Sequence, residues 1–113
     1  MMVNKIVEIK WKKEPPTSKY KFKFTFDFED GSRKSTKFGA KGYEDYTTHG
    51  DKKRRDKYIN RHKKDLETED PTRAGYLSMF ILWNKPTFEE SVKDYMKRLN
   101  DYNKTGYFPI KIK

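Results

Sequence analysis

The sequence predicts an α+β fold: an antiparallel meander of three strands, with a possible fourth at the C-terminal end, packed against three helices. Three observations carry this. Tyr20, Phe22, Phe24, Phe26 and Phe28 alternate with Lys21, Lys23, Thr25 and Asp27, the period of a strand with one aromatic and one solvated face. Asp30-Gly31 follows at once, a pair suited to a type I′ hairpin turn. Beyond residue 50, cap residues at Asp51, at Asp70-Pro71 and at Thr87 each open a helical pattern.

The elements follow in order. Residues 3–12 read as a strand with Val7, Ile9 and Trp11 on one face. The Pro15-Pro16 pair ends it, because proline cannot donate to a ladder. Ser32 to Phe38 returns as the partner of the aromatic strand. Gly39, Gly42 and Gly50 then break the pattern, so 39–50 reads as an ordered loop anchored by Tyr43 and Tyr46. A first helix, about 51–64, presents Ile59, His62 and Leu66 as its packing stripe. A second runs from Asp70-Pro71 to Trp83 through Leu77, Phe80 and Ile81, with Ala74 and Gly75 small enough for close approach to another element. Thr87-Phe88-Glu89-Glu90 is a capping box that opens a third, to about Asn103, with Val92, Tyr95, Met96 and Leu99 on its stripe. Gly106 ends it, and Ile110 and Ile112 face one way in a last short strand.

One domain spans 1–113. Only 33% of residues are apolar, but aromatics supply 16%, and eight Phe, eight Tyr and two Trp give a chain this size enough to bury. That aromatic content argues against disorder. There is no cysteine, which removes disulfides, thiolate metal sites and a cysteine nucleophile. The N-terminus lacks the apolar segment of a signal peptide, and Met79–Trp83, the longest apolar run, is too short to cross a bilayer.

A net charge of +10 points to acidic partners. Its distribution is uneven: net +6 over 1–41, zero over 42–70 and +4 over 71–113. Inside the neutral segment lies the densest basic cluster. Lys52, Lys53, Arg54, Arg55, Lys57, Arg61, Lys63 and Lys64 against Asp56 alone give residues 52–64 a charge of +7. On a helix this would bind phosphate, and Lys52–Arg55 resembles a nuclear localisation patch. Lys19, Lys21 and Lys23 offer a second basic row. Phe22, Phe24 and Phe26 have the spacing of a base-stacking platform, but so small a chain needs them as core. The neutral balance of 42–70 suits a mixed-charge protein partner better than bare phosphate. Tyr76, Trp83 and Phe88 near helix ends have interface character.

The case for catalysis is thin. His49 lies four residues from Asp45 and two from Asp51, which a metal-dependent nuclease could use, but no recognised nuclease spacing accompanies them. The expectation is that Asp45 and Thr47 shape the loop by side-chain to backbone bonds, with His49 leading into the helix cap. No phosphate loop, dinucleotide fingerprint or nucleophile elbow occurs. The sequence therefore points to a non-enzyme without cofactor, metal or small-molecule ligand.

Phe38-Gly39-Ala40-Lys41-Gly42-Tyr43, Asp45-Tyr46-Thr47, His49, Asp51, Tyr58, Arg61-His62, Pro71-Thr72, Ala74-Gly75, Ser78 and Ile81–Pro86 form a composite pattern. Over residues 38–99 it resembles a family of short proteins of large nucleocytoplasmic DNA viruses. The resemblance implies a virion setting, or the host cytoplasm or nucleus during infection, and no catalytic roles. In that setting the leading expectation is a minor capsid or cement protein that docks on acidic capsid subunits through the basic patch, the Gly39–Gly50 loop and Trp83. The alternative is a basic DNA-binding protein associated with the viral genome.

Overall fold

The aromatic alternation builds the centre of the molecule. In the computed structural model, which describes residues 3–113, β2 (Tyr20–Phe28) lies between β1 (Ile6–Lys13) and β3 (Arg33–Ala40) in an antiparallel sheet. Ile9 pairs with Phe26, Trp11 with Phe24, and Phe22 with Phe38, so these side chains share the inner face. Phe24 and Phe26 are wholly buried and Phe38 nearly so. The aromatic row is core.

Two details of the meander differ from expectation. Val7 does not face the same way as Ile9 and Trp11. A bulge between Ile6 and Glu8 makes it the extra residue, leaving it 63% exposed while Ile6 turns inward. The Asn103 side chain closes the strand edge there, exchanging two 3.0 Å hydrogen bonds with the backbone of Ile6. The β2–β3 hairpin is also not type I′, since Asp30 keeps negative φ and only Gly31 is left-handed, at +87°. Glu29-Asp30-Gly31 forms a three-residue loop, with Gly31 N donating to Phe28 O and Phe28 N to Ser32 O. The Asp30 carboxylate, accepting from the amide and hydroxyl of Ser32, favours this turn.

Four α-helical segments follow. α1 (Tyr46–His49) is a single turn within the expected loop, and α2 (Lys52–His62) continues as a 3₁₀ segment, Lys63–Thr68. α3 (Ala74–Leu77) widens without a break into a π-helical turn, Ser78–Leu82. α4 (Phe88–Thr105) starts at the Thr87 cap and ends at left-handed Gly106.

The second helix begins later than Asp70-Pro71 because Asp70 is otherwise engaged. Its Oδ1 accepts from both the amide and hydroxyl of Thr72, which holds 70–72 as a turn. That turn is fastened to the sheet by Lys34 and Thr36, which donate to Thr72 Oγ1 and Thr72 O. The helix that follows buries Tyr76, Leu77, Met79, Phe80, Ile81 and Leu82, apolar around its whole circumference as a central helix must be. A Cβ on Gly75 would lie 2.7 Å from Asp65 Cβ, the close approach its small size permits. On α4, Val92, Tyr95 and Leu99 pack inward, whereas Met96 stays 40% exposed.

The C-terminal residues form no strand. Phe108 is buried, Ile112 packs partly on the core and Ile110 is half exposed, a spacing of four rather than two. Guanidinium groups take the place of a ladder: Arg98 donates to Pro109 O and Lys111 O, and Arg55 to Lys113 O. No helix of the described residues is long and apolar enough to cross a membrane.

Candidate nucleic-acid interface

The site begins with the cap that shapes the loop. Asp45 Oδ1 accepts from the amide and hydroxyl of Thr47, and the Asp45 amide donates to Thr48 Oγ1, a reciprocal box that starts α1. Asp45 Oδ2 is 2.6 Å from Lys21 Nζ, which also donates to Tyr43 O. The loop is thus tied to β2 by a largely buried ion pair. Tyr46 is buried as an anchor; Tyr43 is not one, standing 74% exposed, and Gly42 beside it lies at the surface.

Asp51 caps α2, accepting from the amides of Lys53 and Arg54. The inward face of α2 holds Arg55, Tyr58, Ile59 and His62. At 100° per residue the opposite face then carries Lys53, Lys57, Asn60 and Arg61, with Lys64 continuing past the helix end. Lys53, Lys57 and Arg61 stand at successive i, i+4 positions, where like charges repel. Among the described residues none of Lys52, Lys53, Lys57, Arg61, Lys63 and Lys64 has a carboxylate within 4 Å. Arg54 pairs loosely with Glu44, at 3.5 Å.

Arg55 does not share this surface. Its side chain is 7% exposed, with Nη2 2.9 Å from Asp56 and Nη1 donating to Asn84 O and Lys113 O. The guanidinium carbon lies 5.5 Å from the Tyr46 ring centre. Arg55 joins α1, α2, the α3–α4 junction and the C-terminal segment.

Beside the cationic face is a cleft of about 500 Å³, with Lys21 and Gly39 of the sheet, Arg54 and Arg61 of α2, and Ser78 and Leu82 of the π-helical turn on its walls. Gly39 is left-handed at φ +80°, and a Cβ there would lie 2.8 Å from Leu82 Cδ1, so glycine alone lets strand and helix meet. Tyr58 is stacked between Trp83, at 4.3 Å and 3°, and His62, at 4.0 Å and 18°. Both faces of Tyr58 are therefore occupied, and burial pushes its hydroxyl pKa up to about 12. The stack builds the wall; Tyr43 remains as the exposed ring at its rim.

The two histidines are packed side chains. His49 Nδ1 accepts from the Asp51 amide, and its ring lies against Trp83 and Tyr46. His62 Nδ1 meets Tyr58 O at 3.0 Å. The carboxylates that a nuclease reading would need are committed elsewhere, Asp45 to Lys21 and Asp51 to the helix amides. Among the described residues no three His, Asp or Glu side chains gather as a metal site.

Residues 13–62 match a family of unknown function, DUF5754. The match runs from the end of β1 to the end of α2 and so takes in the loop and the cationic helix, but neither the π-helical turn nor α4. No curated protein and no solved structure matches the chain.

The stack of Trp83, Tyr58 and His62 escaped the sequence reading. Its signal was the i, i+4 pair Tyr58 and His62; the arrival of Trp83 from the end of the π-helical turn had none.

Proposed function

We propose that this chain is a non-enzymatic protein that binds nucleic acid through its phosphate backbone, without reading sequence, in the viral setting its resemblance implies. The observation that carries the reading is the sidedness of α2. Among the described residues no carboxylate of 42–70 lies within 4 Å of Lys53, Lys57 or Arg61, although Glu44, Asp51, Asp56, Asp65, Glu67 and Glu69 remain at the surface. Asp45 is tied to Lys21, Asp51 to the helix amides, Asp56 to Arg55 and Asp70 to its own turn, while the lysines stand outward on α2. A row of like charges at one-turn spacing is destabilising by itself and is relieved by an anion along it. With the Tyr58 stack closed on both faces, phosphate contacts dominate and base contacts do not.

The test is the double charge reversal Lys53→Glu/Lys57→Glu. Affinity for duplex DNA falls at least about tenfold at moderate salt, with a melting temperature no lower than the native one, since the carboxylate placed at position 57 would stand one turn before Arg61. Equal affinity in the reversed protein would overturn the reading.

A second reading, docking on acidic capsid subunits, is favoured by one observation. Trp11, 45% exposed, forms a groove with Phe22 and Phe88 beside Lys12 and Lys13, with Glu89 the single carboxylate on its lining. Aromatic rings flanked by cations suit an acidic protein surface.

A further inference from the structure

We infer that the outward face of the sheet carries a second anion site, separate from α2, that takes phosphate groups. In the register of the sheet Lys12 pairs with Lys23, and Lys23 with Lys37, so three ammonium groups lie in one row across all three strands. Like charges directly opposite each other destabilise a sheet. The rest of the same face is not built this way. The next row is Lys10, Thr25 and Ser35, with a 2.9 Å bond between the two hydroxyls, and Asp27 and Arg33 form an ion pair further along.

The row opens on a groove of about 580 Å³, shared with Lys19, Tyr20 and Glu14. Glu14 is the one carboxylate on its wall, with its side chain 4% exposed and Oε1 3.2 Å from Lys37 Nζ. It offsets a single cation. Lys12, Lys19 and Lys23 have no carboxylate within 4 Å among the described residues. Three uncompensated ammonium groups around one concavity fit a multiply charged oxyanion, a phosphate chain or two adjacent backbone phosphates. Lysine acts there as a point charge, which suits an anion held by charge and not by bidentate geometry.

Lys23→Glu tests the site in the full-length protein. The substitution sets a carboxylate between Lys12 and Lys37, so it preserves or raises the melting temperature while removing the site. Pyrophosphate at about ten times its Kd raises the melting temperature of the native protein, and of the Lys53→Glu/Lys57→Glu variant, by about 5 °C, and leaves that variant unmoved once Lys23→Glu is added to it. A response retained in the Lys23→Glu/Lys53→Glu/Lys57→Glu protein, or absent from the native protein, overturns the inference. A Lys23→Glu protein that melts well below the native one would do so too, since the row would then be a stabilising part of the sheet. Duplex DNA in place of pyrophosphate assigns the source. Affinity lowered in Lys23→Glu places nucleic-acid phosphates in the groove, and unchanged affinity beside a lost pyrophosphate response leaves it to free phosphate chains. The pyrophosphate result holds whether or not α2 binds DNA.

Discussion

Arg55 shows how one residue's role departs from its neighbourhood. In sequence it is one of four consecutive cations; in the fold it is the buried member of them, fixed by Asp56 and by the carbonyls of Asn84 and Lys113. A planar guanidinium serves several acceptors at once, as an ammonium does not. Arg55→Lys keeps the charge and lowers stability by about 1.5–3 kcal/mol, the range for hydrogen bonds to a charged group. Denaturant unfolding reads that loss. DNA affinity of the folded variant stays unchanged, which separates Arg55 from the outward lysines. Helical spacing carried part of this information: Arg55, Ile59 and His62 fall on one stripe. The carbonyls it meets lie 29 and 58 residues away, beyond any local pattern.

Among the elements, those ruled by short-range periodicity were legible and those ruled by distant partners were not. The aromatic strand and the caps at Asp51 and Thr87 appear where the sequence places them, because each depends on residues within a few positions. At Thr87 the box is half made, since Glu90 accepts from the hydroxyl and not from the amide. The second helix starts late because the 70–72 turn is held by Lys34 and Thr36 of β3. The expected last strand is absent because Arg98 and Arg55 satisfy the carbonyls of the C-terminal segment. The 70–72 turn has a measurable pH signature. Burial raises the Asp70 carboxyl, but bonds from Thr72 and the nearby Lys34 outweigh this and hold it below the usual carboxylate value. Its contribution is therefore complete above the unfolded-state value of about 3.9 and is lost as pH falls through the lower folded value. Asp70→Asn is less stable than the native protein at neutral pH, and the gap between them narrows in acid. Chemical denaturation at several pH values checks this; a constant gap would contradict it.

For the molecule as a whole, the net charge of +10 was plain from composition, but its geometry was not. Counting charges along 42–70 gives zero and favours a mixed-charge protein partner. Folding separates them in part: Asp45, Asp51, Asp56 and Asp70 enter caps, ion pairs and a turn, Asp65, Glu67 and Glu69 stay exposed beyond the helix end, and α2 turns its lysines outward. The outward face of α2 is therefore cationic although the segment that holds it is neutral. An outward stripe of Lys53, Lys57, Arg61 and Lys64 neutralises about four phosphates, so the account makes a numerical claim about salt. The deciding measurement is the affinity of the purified protein for a non-specific DNA duplex across a salt series. The account predicts a slope of log K against log salt of about −3 to −4, steeper if the sheet lysines join, and little dependence on base sequence. Binding that is absent at low salt, or that persists with a slope near zero, would contradict it.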